Sequence, residues 1–438
     1  MAQFQQQEIT AEELVRVLIQ QAVRERVSDI HIEPLVDRMC LRFRVDGNLQ
    51  DRGTRPLYEL EPILTRMKVL SNLDITSHAT PQEGHFEMTV DVGGGQAAAE
   101  AERAERSAGN LTDKLSSLFS KGGGNSLPPE PGVPLQAQQS TKRLIDVRLS
   151  IFPTIHGETA VLRLLNRAEM FMSIKDLGFD AAEFSIVKKI INKIYGMVLV
   201  TGPSGAGKTT TLYSILREIK SKEKNIITLE DPVEFHIDDI RQSQMNPDQG
   251  YTFAIGMRSI LRQDPDVVMI GEIRDPETAE QAVRASLTGR IVFSTVHSNT
   301  TIGTIARLTD MNVERSLIAY AINGVIAQRL VRKMCQQCKT TYQPEAEYMS
   351  YFGLTDGQQT FLKGKGCSAC DNTGYIGRVG IFEVFEFDDT IRSLIIDKAP
   401  MFAIQEYAEK NGMKTLKQGA IEKVLAGITT LEEAARTV

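Results

Sequence analysis

A chain of 438 residues, 42% hydrophobic and 24% charged, is long enough for about two or three domains and too apolar to be globally disordered. Its net charge of −6 argues against a general nucleic-acid binder, and no apolar run approaches the ~18 residues of a spanning helix. Met1-Ala2-Gln3-Phe4-Gln5-Gln6-Gln7 lacks the basic and apolar regions of a secretory signal, and four of the five cysteines form two C-x-x-C pairs rather than a secreted disulfide framework, so a cytoplasmic setting is expected, with membrane contact only through partners.

Thr10-Ala11-Glu12-Glu13 reads as a capping box opening a helix, with Leu14, Leu18 and Ala22 at helical spacing. Two alternating runs follow, residues 29–33 and 39–45, and they read as a hairpin. One face would carry Ile30, Ile32, Met39, Leu41, Phe43 and Val45. The other would set Asp29, His31 and Glu33 against Arg42 and Arg44. Asp29, His31 and Glu33 could also be read as a metal site, but the neighbouring arginines already satisfy the carboxylates. Cys40 reads as an ordinary strand residue.

Residues 93–140 have linker composition, with Gly93-Gly94-Gly95, Gly122-Gly123-Gly124 and a cluster of prolines at 128–134. Within them Leu115, Leu118 and Phe119, flanked by Lys114 and Lys121, fit a short docking helix. A flexible insertion with transient helix is the preferred reading, because short isolated helices are marginal. Strand-like sequence resumes at 144–152 and 159–165, so the chain enters one domain, loops out and returns. The expected division is an N-terminal domain over 1–165, a linker over 166–176 and a C-terminal domain over 177–438. In the last, helices alternate with apolar runs at 197–201, 225–229, 267–270 and 291–295, the pattern of a doubly wound α/β domain. The chain after residue 382 reads as helical, with Thr430-Leu431-Glu432-Glu433 as another capping box.

Gly202-Pro203-Ser204-Gly205-Ala206-Gly207-Lys208-Thr209 fits the phosphate-loop pattern G-x-x-x-x-G-K-[ST] between a strand and a helix. Its N–H groups would converge on phosphate oxygens, and Lys208 would reach the β- and γ-phosphates. The Thr209 hydroxyl would ligate Mg²⁺, and Thr210 joins the expected nucleotide-binding set. Val267-Val268-Met269-Ile270-Gly271-Glu272 is an apolar strand ending in a carboxylate beside the metal, as in a Walker B segment. Glu230-Asp231-Pro232-Val233-Glu234 and Ser294-Thr295-Val296-His297-Ser298-Asn299 should emerge at the same sheet edge, one offering a base for water and the other an imidazole. Cys335-Gln336-Gln337-Cys338 and Cys367-Ser368-Ala369-Cys370 supply four thiolates for a closed, structural Zn²⁺ site.

Taken in order with Ser28-Asp29-Ile30-His31-Ile32-Glu33-Pro34, Leu261-Arg262-Gln263-Asp264-Pro265-Asp266 and Asn323-Gly324-Val325-Ile326-Ala327-Gln328-Arg329-Leu330, these motifs resemble those of type II secretion and type IV pilus assembly ATPases, the GspE/PilB-like branch of the secretion ATPase superfamily. The resemblance covers nearly the whole chain outside 93–140. It implies a RecA-like P-loop core, an α+β, PAS-like N-terminal domain and a small zinc-binding subdomain at about 331–380. It also implies a homo-hexameric ring that hydrolyses ATP and drives an inner-membrane platform protein, peripheral to that membrane. Glu230 would be the general base, Glu272 would hold Mg²⁺, and His297 would contact the γ-phosphate region. Arg148 and Arg163 would reach the phosphates, with Arg258 and Arg262 as further candidates.

Three departures stand out. The sequence begins almost directly at the Asp29–Pro34 region, so docking through the additional N-terminal domain of many relatives is not expected. Residues 93–140 replace a short connection. His297-Ser298-Asn299 stands where relatives carry His-Thr-Asn. The rival readings are a nucleic-acid translocase with a zinc ribbon and a non-hydrolysing regulatory ring. Net acidity and the lack of an aromatic-basic stripe disfavour the first, and the carboxylates disfavour the second.

Overall fold

The computed structural model describes residues 10–91, 142–165, 172–354 and 360–438. The segment considered as a docking helix, around Leu115, Leu118 and Phe119, lies outside the described residues. The chain divides into two compact units, Met1–Arg167 and Ala168–Val438.

The first unit is an antiparallel sheet of order β3-β2-β1-β6-β5-β4. Its strands are β1 (Val27–Pro34), β2 (Arg38–Val45), β3 (Asn48–Pro56), β4 (Gln82–Asp91), β5 (Lys142–Thr154) and β6 (Gly157–Leu165). Two helices, α1 (Ala11–Arg24) and α2 (Leu60–Leu70), share a core with one face of the sheet. The capping box at Thr10 is complete: its side chain accepts from Glu13 N–H and the Glu13 carboxylate returns to Thr10 N–H. The buried stripe of α1 is Val15, Leu18, Ile19, Ala22 and Val23, which leaves Leu14 at its margin. Leu14, four residues before Leu18, lies at the edge of that stripe and is partly buried against the same core.

Alternation then sorts the strands. Ile30, Ile32, Phe43, Val147, Leu149, Ile151 and Leu162 point into that core. Asp29, His31, Arg42, Arg44, Arg148 and Arg163 fall on the opposite, polar face. Asp91 of β4 pairs with Lys142 of β5 at the far end of their ladder.

The second unit is built on a sheet of order β15-β12-β7-β11-β10-β8-β9. Here β7 (Gly196–Thr201), β8 (Ile226–Glu230), β9 (Arg241–Gln244), β10 (Val267–Ile270), β11 (Ile291–Val296) and β12 (Ile322–Met334) run parallel, and β15 (Tyr375–Glu386) is antiparallel to β12. Every residue of β7, β8, β10 and β11 is buried, and apolar clusters lie on both faces, as expected for a parallel sheet wrapped by helices. The wrapping helices include α3 (Ala181–Ile191), α4 (Lys208–Ile219), α5 (Phe253–Ile260), α6 (Pro276–Leu287), α7 (Thr301–Asp310) and α8 (Arg315–Ala321).

The long β12 and β15 form a ribbon that leads out to the cysteines and the small hairpin of β13 (Lys339–Tyr342) and β14 (Phe361–Gly364). Helices α9 (Ala346–Tyr351), α10 (Asp389–Ile396), α11 (Met401–Lys410), α12 (Leu416–Leu425) and α13 (Leu431–Thr437) complete the unit. At α13 the expected capping box is only half formed. Thr430 accepts from Glu433 N–H, but the buried Glu433 carboxylate accepts from Arg332 at 2.7 Å and from Arg436 at 2.9 Å. Two guanidiniums outcompete one backbone N–H for a buried carboxylate.

Candidate functional site

Because β7, β11, β10 and β8 are neighbours and parallel, their C-terminal ends open on one edge. That edge gathers Gly202–Thr209 after β7, His297 after β11, Glu272 after β10 and Glu230 as the last residue of β8. Glu230 is drawn into the strand because β9 pairs with it through Gln244.

The phosphate loop fits its expected ligand on three counts. Gly202 and Gly207 have φ of +148° and +87°, and a Cβ at either would lie 2.5 Å from the Gln328 carbonyl or 2.9 Å from its amide. No side chain caps α4, whereas Thr252, Asp275 and Thr300 cap α5, α6 and α7. The first-turn N–H groups of α4 are therefore free of a capping side chain, and the helix dipole adds positive potential there. Lys208 bends back on its own loop and donates to the carbonyls of Gly202 and Pro203 at 2.9 and 3.0 Å. Burial pulls its pKa below the usual lysine range, opposed by the charge of Glu272. Thr209 is exposed beside it and Thr210 half-buried.

The loop is braced from both sides. The Thr201 hydroxyl lies 2.8 Å from the carbonyls of Val296 and Ser298 and accepts from Ser298 N–H at 2.9 Å, fastening the histidine loop to the end of β7. From β12, the Gln328 amide oxygen accepts from Thr211 of α4 at 2.7 Å, and Arg329 donates to the Asn299 carbonyl at 3.1 Å. Gln328 and Arg329 lay inside a recognised motif, but nothing in their spacing revealed this bracing.

The two key carboxylates have different surroundings. Glu272 meets the Arg274 guanidinium at 2.5 Å and the His297 Nε2 at 3.3 Å. Glu230 is 3% exposed and meets neutral donors: the Tyr213 hydroxyl, the Thr228 hydroxyl at 2.5 Å and the Gln242 amide at 3.1 Å. Burial raises its pKa above the usual carboxylate range, although those donors pull the other way. Tyr213, Gln242 and Arg274 are additions that sequence reasoning missed. Tyr213 reads in sequence as one more core aromatic of an amphipathic helix.

The expected arginines fall in separate places. Arg258 pairs with Glu277 of α6, and Arg262 donates to the Arg258 carbonyl at 3.0 Å. Arg148 and Arg163 belong to the first unit, where they are cross-strand neighbours on β5 and β6. Arg163 donates to Asp29 at 2.9 Å, Arg44 lies 3.7 Å from Asp29, and Arg42 pairs with Glu33. Asp29 and Glu33 are thus engaged by guanidiniums. His31 between them has its pKa lowered by burial and by Arg44.

Cys335, Cys338, Cys367 and Cys370 place their four Sγ atoms within 4.8 Å of one another. Three separations, Cys335–Cys367, Cys338–Cys370 and Cys367–Cys370, are 3.8, 3.8 and 3.7 Å. A tetrahedron with Zn–S bonds of ~2.3 Å has S···S edges of ~3.8 Å, so the cluster is compatible with a zinc site. The N–H groups of Cys367 and Gly374 donate to Cys370 Sγ at 3.2 and 3.3 Å, which favours a thiolate there.

A family model described as type II/IV secretion system protein matches residues 5–97 and 126–436. The gap between the matched stretches falls inside 93–140. The type IV pilus assembly ATPase PilB of Thermus thermophilus is 38% identical over 98% of this chain, which spans 43% of that protein. The type II secretion system ATPase E of Vibrio cholerae is 38% identical over 97% of the chain, which spans 74% of that protein. In fold, the chain is similar to the Legionella pneumophila ATPase DotB, with a TM-score of 0.64 and 20% identity over 98% of this chain and 96% of that one. Among the described residues, no helix is long and apolar enough to cross a membrane. With the family model matched in both units, this chain belongs to the type II/IV secretion system protein family.

Proposed function

We propose that the chain binds and hydrolyses ATP with Mg²⁺ as one subunit of a hexameric ring. The ring works at the cytoplasmic face of the inner membrane and drives assembly of a type IV pilus or a type II secretion pseudopilus through a membrane platform protein. The names of the similar PilB and ATPase E proteins support the machine. The observation that carries the chemistry is the meeting of Lys208, Glu272 and His297 beside an uncapped α4.

In this reading the loop N–H groups and Lys208 take the phosphate oxygens once the lysine leaves the Gly202 and Pro203 carbonyls. Thr209 and Glu272 hold Mg²⁺, which neutralises developing phosphate charge. His297 senses the terminal phosphate, and Glu230 takes the proton of the attacking water. Arg148, Arg163, Arg258 and Arg262 contribute phosphate contacts in the working ring. Cys335, Cys338, Cys367 and Cys370 hold a structural Zn²⁺.

The test is Glu230→Gln. Nucleotide affinity should stay within about twofold, while turnover in the assembled form falls by about 10²–10⁴-fold, the range of a lost general base. Near-normal phosphate release by that variant would remove Glu230 from the mechanism.

A further inference from the structure

Tyr213 lies on α4, the helix that opens at Lys208, and its side chain is fully buried. Glu234 N–H donates to its oxygen at 3.2 Å, so the hydroxyl's single proton is directed to the Glu230 carboxylate. The ring is set by an edge-on contact with Phe235, centroids 4.4 Å apart.

The opposite side of the carboxylate is just as constrained. Gln242 Oε1 accepts from Ile237 N–H at 2.7 Å, which fixes the amide and turns its NH₂ toward Glu230 and the Phe235 carbonyl. Thr228 donates from the same strand. Among the described residues, Tyr213, Thr228 and Gln242 thus meet the Glu230 carboxylate as neutral donors, and the charge of Glu234 repels it. A carboxylate this dry retains its charge through hydrogen bonds to the ionised form.

We propose that Tyr213 is a positioning residue for hydrolysis: its hydroxyl keeps the Glu230 carboxylate ionised and aimed, and ties it to the helix that begins at the phosphate loop. This rests on Glu230 acting as the base. Because Lys208 and Tyr213 share one rigid helix, a displacement of the loop by phosphate is carried to the donor that orients the base.

The experiment compares Tyr213→Phe, Glu230→Gln and Tyr375→Phe in the full-length assembled protein. Tyr375 also has its hydroxyl near a threonine, Thr430 at 2.8 Å, and belongs to the cysteine ribbon. Tyr213→Phe should lower kcat about tenfold and change KM for ATP less than about twofold, since the missing donor acts on the base and not on nucleotide binding. The acidic limb of its kcat–pH profile should move to higher pH, because losing a donor to the charged form makes Glu230 easier to protonate. Tyr375→Phe should match the parent in kcat and in the limb.

If Tyr213→Phe melts too low to assay, Gln242→Met removes another donor from a half-buried edge strand and should shift kcat and the limb in the same direction. An inactive Glu230→Gln alongside a Tyr213→Phe with parental kcat and limb overturns the role of Tyr213 alone. An active Glu230→Gln overturns the base assignment and this inference with it.

Discussion

At the edge proposed for nucleotide the polar side chains are engaged by the chain itself: Lys208 rests on two loop carbonyls, and Arg274 and His297 lean on Glu272. In the cysteine module the four Sγ atoms lie within 4.8 Å of one another, with backbone N–H groups aimed at one of them. The first arrangement has to exchange partners whenever a ligand enters or leaves, and the second has nothing to exchange. A site that turns over suits replaceable contacts, while a site that stabilises a fold suits ligands whose binding of the ion is part of the folding energy.

The sharpest way to break this contrast is Lys208→Ala. It removes a cation that would trade loop carbonyls for phosphate, and phosphate release should fall by about a thousandfold. Turnover within tenfold of the parent would mean that the lysine's self-contact is its permanent role. The next is the double substitution Cys367→Ser and Cys370→Ser. Elemental analysis should then show zinc lost from a parent that carries one equivalent per chain. Hydrogen exchange should lose protection across 331–380 while β7 and β11 keep theirs. Zinc-free protein with full protection in the module would erase the difference between the two regions.

The smallest effect is expected from Arg274→Ala. The guanidinium is 63% exposed, so its pairing with Glu272 is worth little, about 0–1 kcal/mol. Freed from it, Glu272 should hold Mg²⁺ up to about fivefold more tightly, read as a lower Mg²⁺ requirement for turnover. Weaker Mg²⁺ binding instead would make Arg274 part of the ligand-bound site rather than a placeholder.

The order of these contacts also explains what could be read from the sequence. Features written in local pattern or fixed spacing were legible: the glycine turn between β7 and α4, the strand ending before Glu272, the two C-x-x-C pairs that cluster and the hairpin of β1 and β2. Parallel strands read as apolar runs because both of their faces are buried. The polar edge strands β3 and β4 gave no such run, and β12 was seen only as a motif. Tyr213, Gln242 and Arg274 were illegible for another reason. Tyr213 and Gln242 matter through hydrogen bonds to a carboxylate on another element, Arg274 through a pairing that a polar loop does not announce, and a tyrosine on a buried helix face looks the same whether or not its hydroxyl finds a carboxylate. Glu433 makes the same point in reverse: the local capping pattern was present, but Arg332 from β12 claimed its carboxylate.

The pairing of Asp91 with Lys142 has a practical side. The residues on either side of 92–141 are fastened to each other by a strand ladder, so the sheet fixes where the described chain stops and resumes whatever the length between. Closing a loop twice as long costs only about 0.6 kcal/mol more. This makes the segment a natural splice point, where a fluorescent reporter or an affinity handle could be inserted without touching the ladder that holds the first unit together.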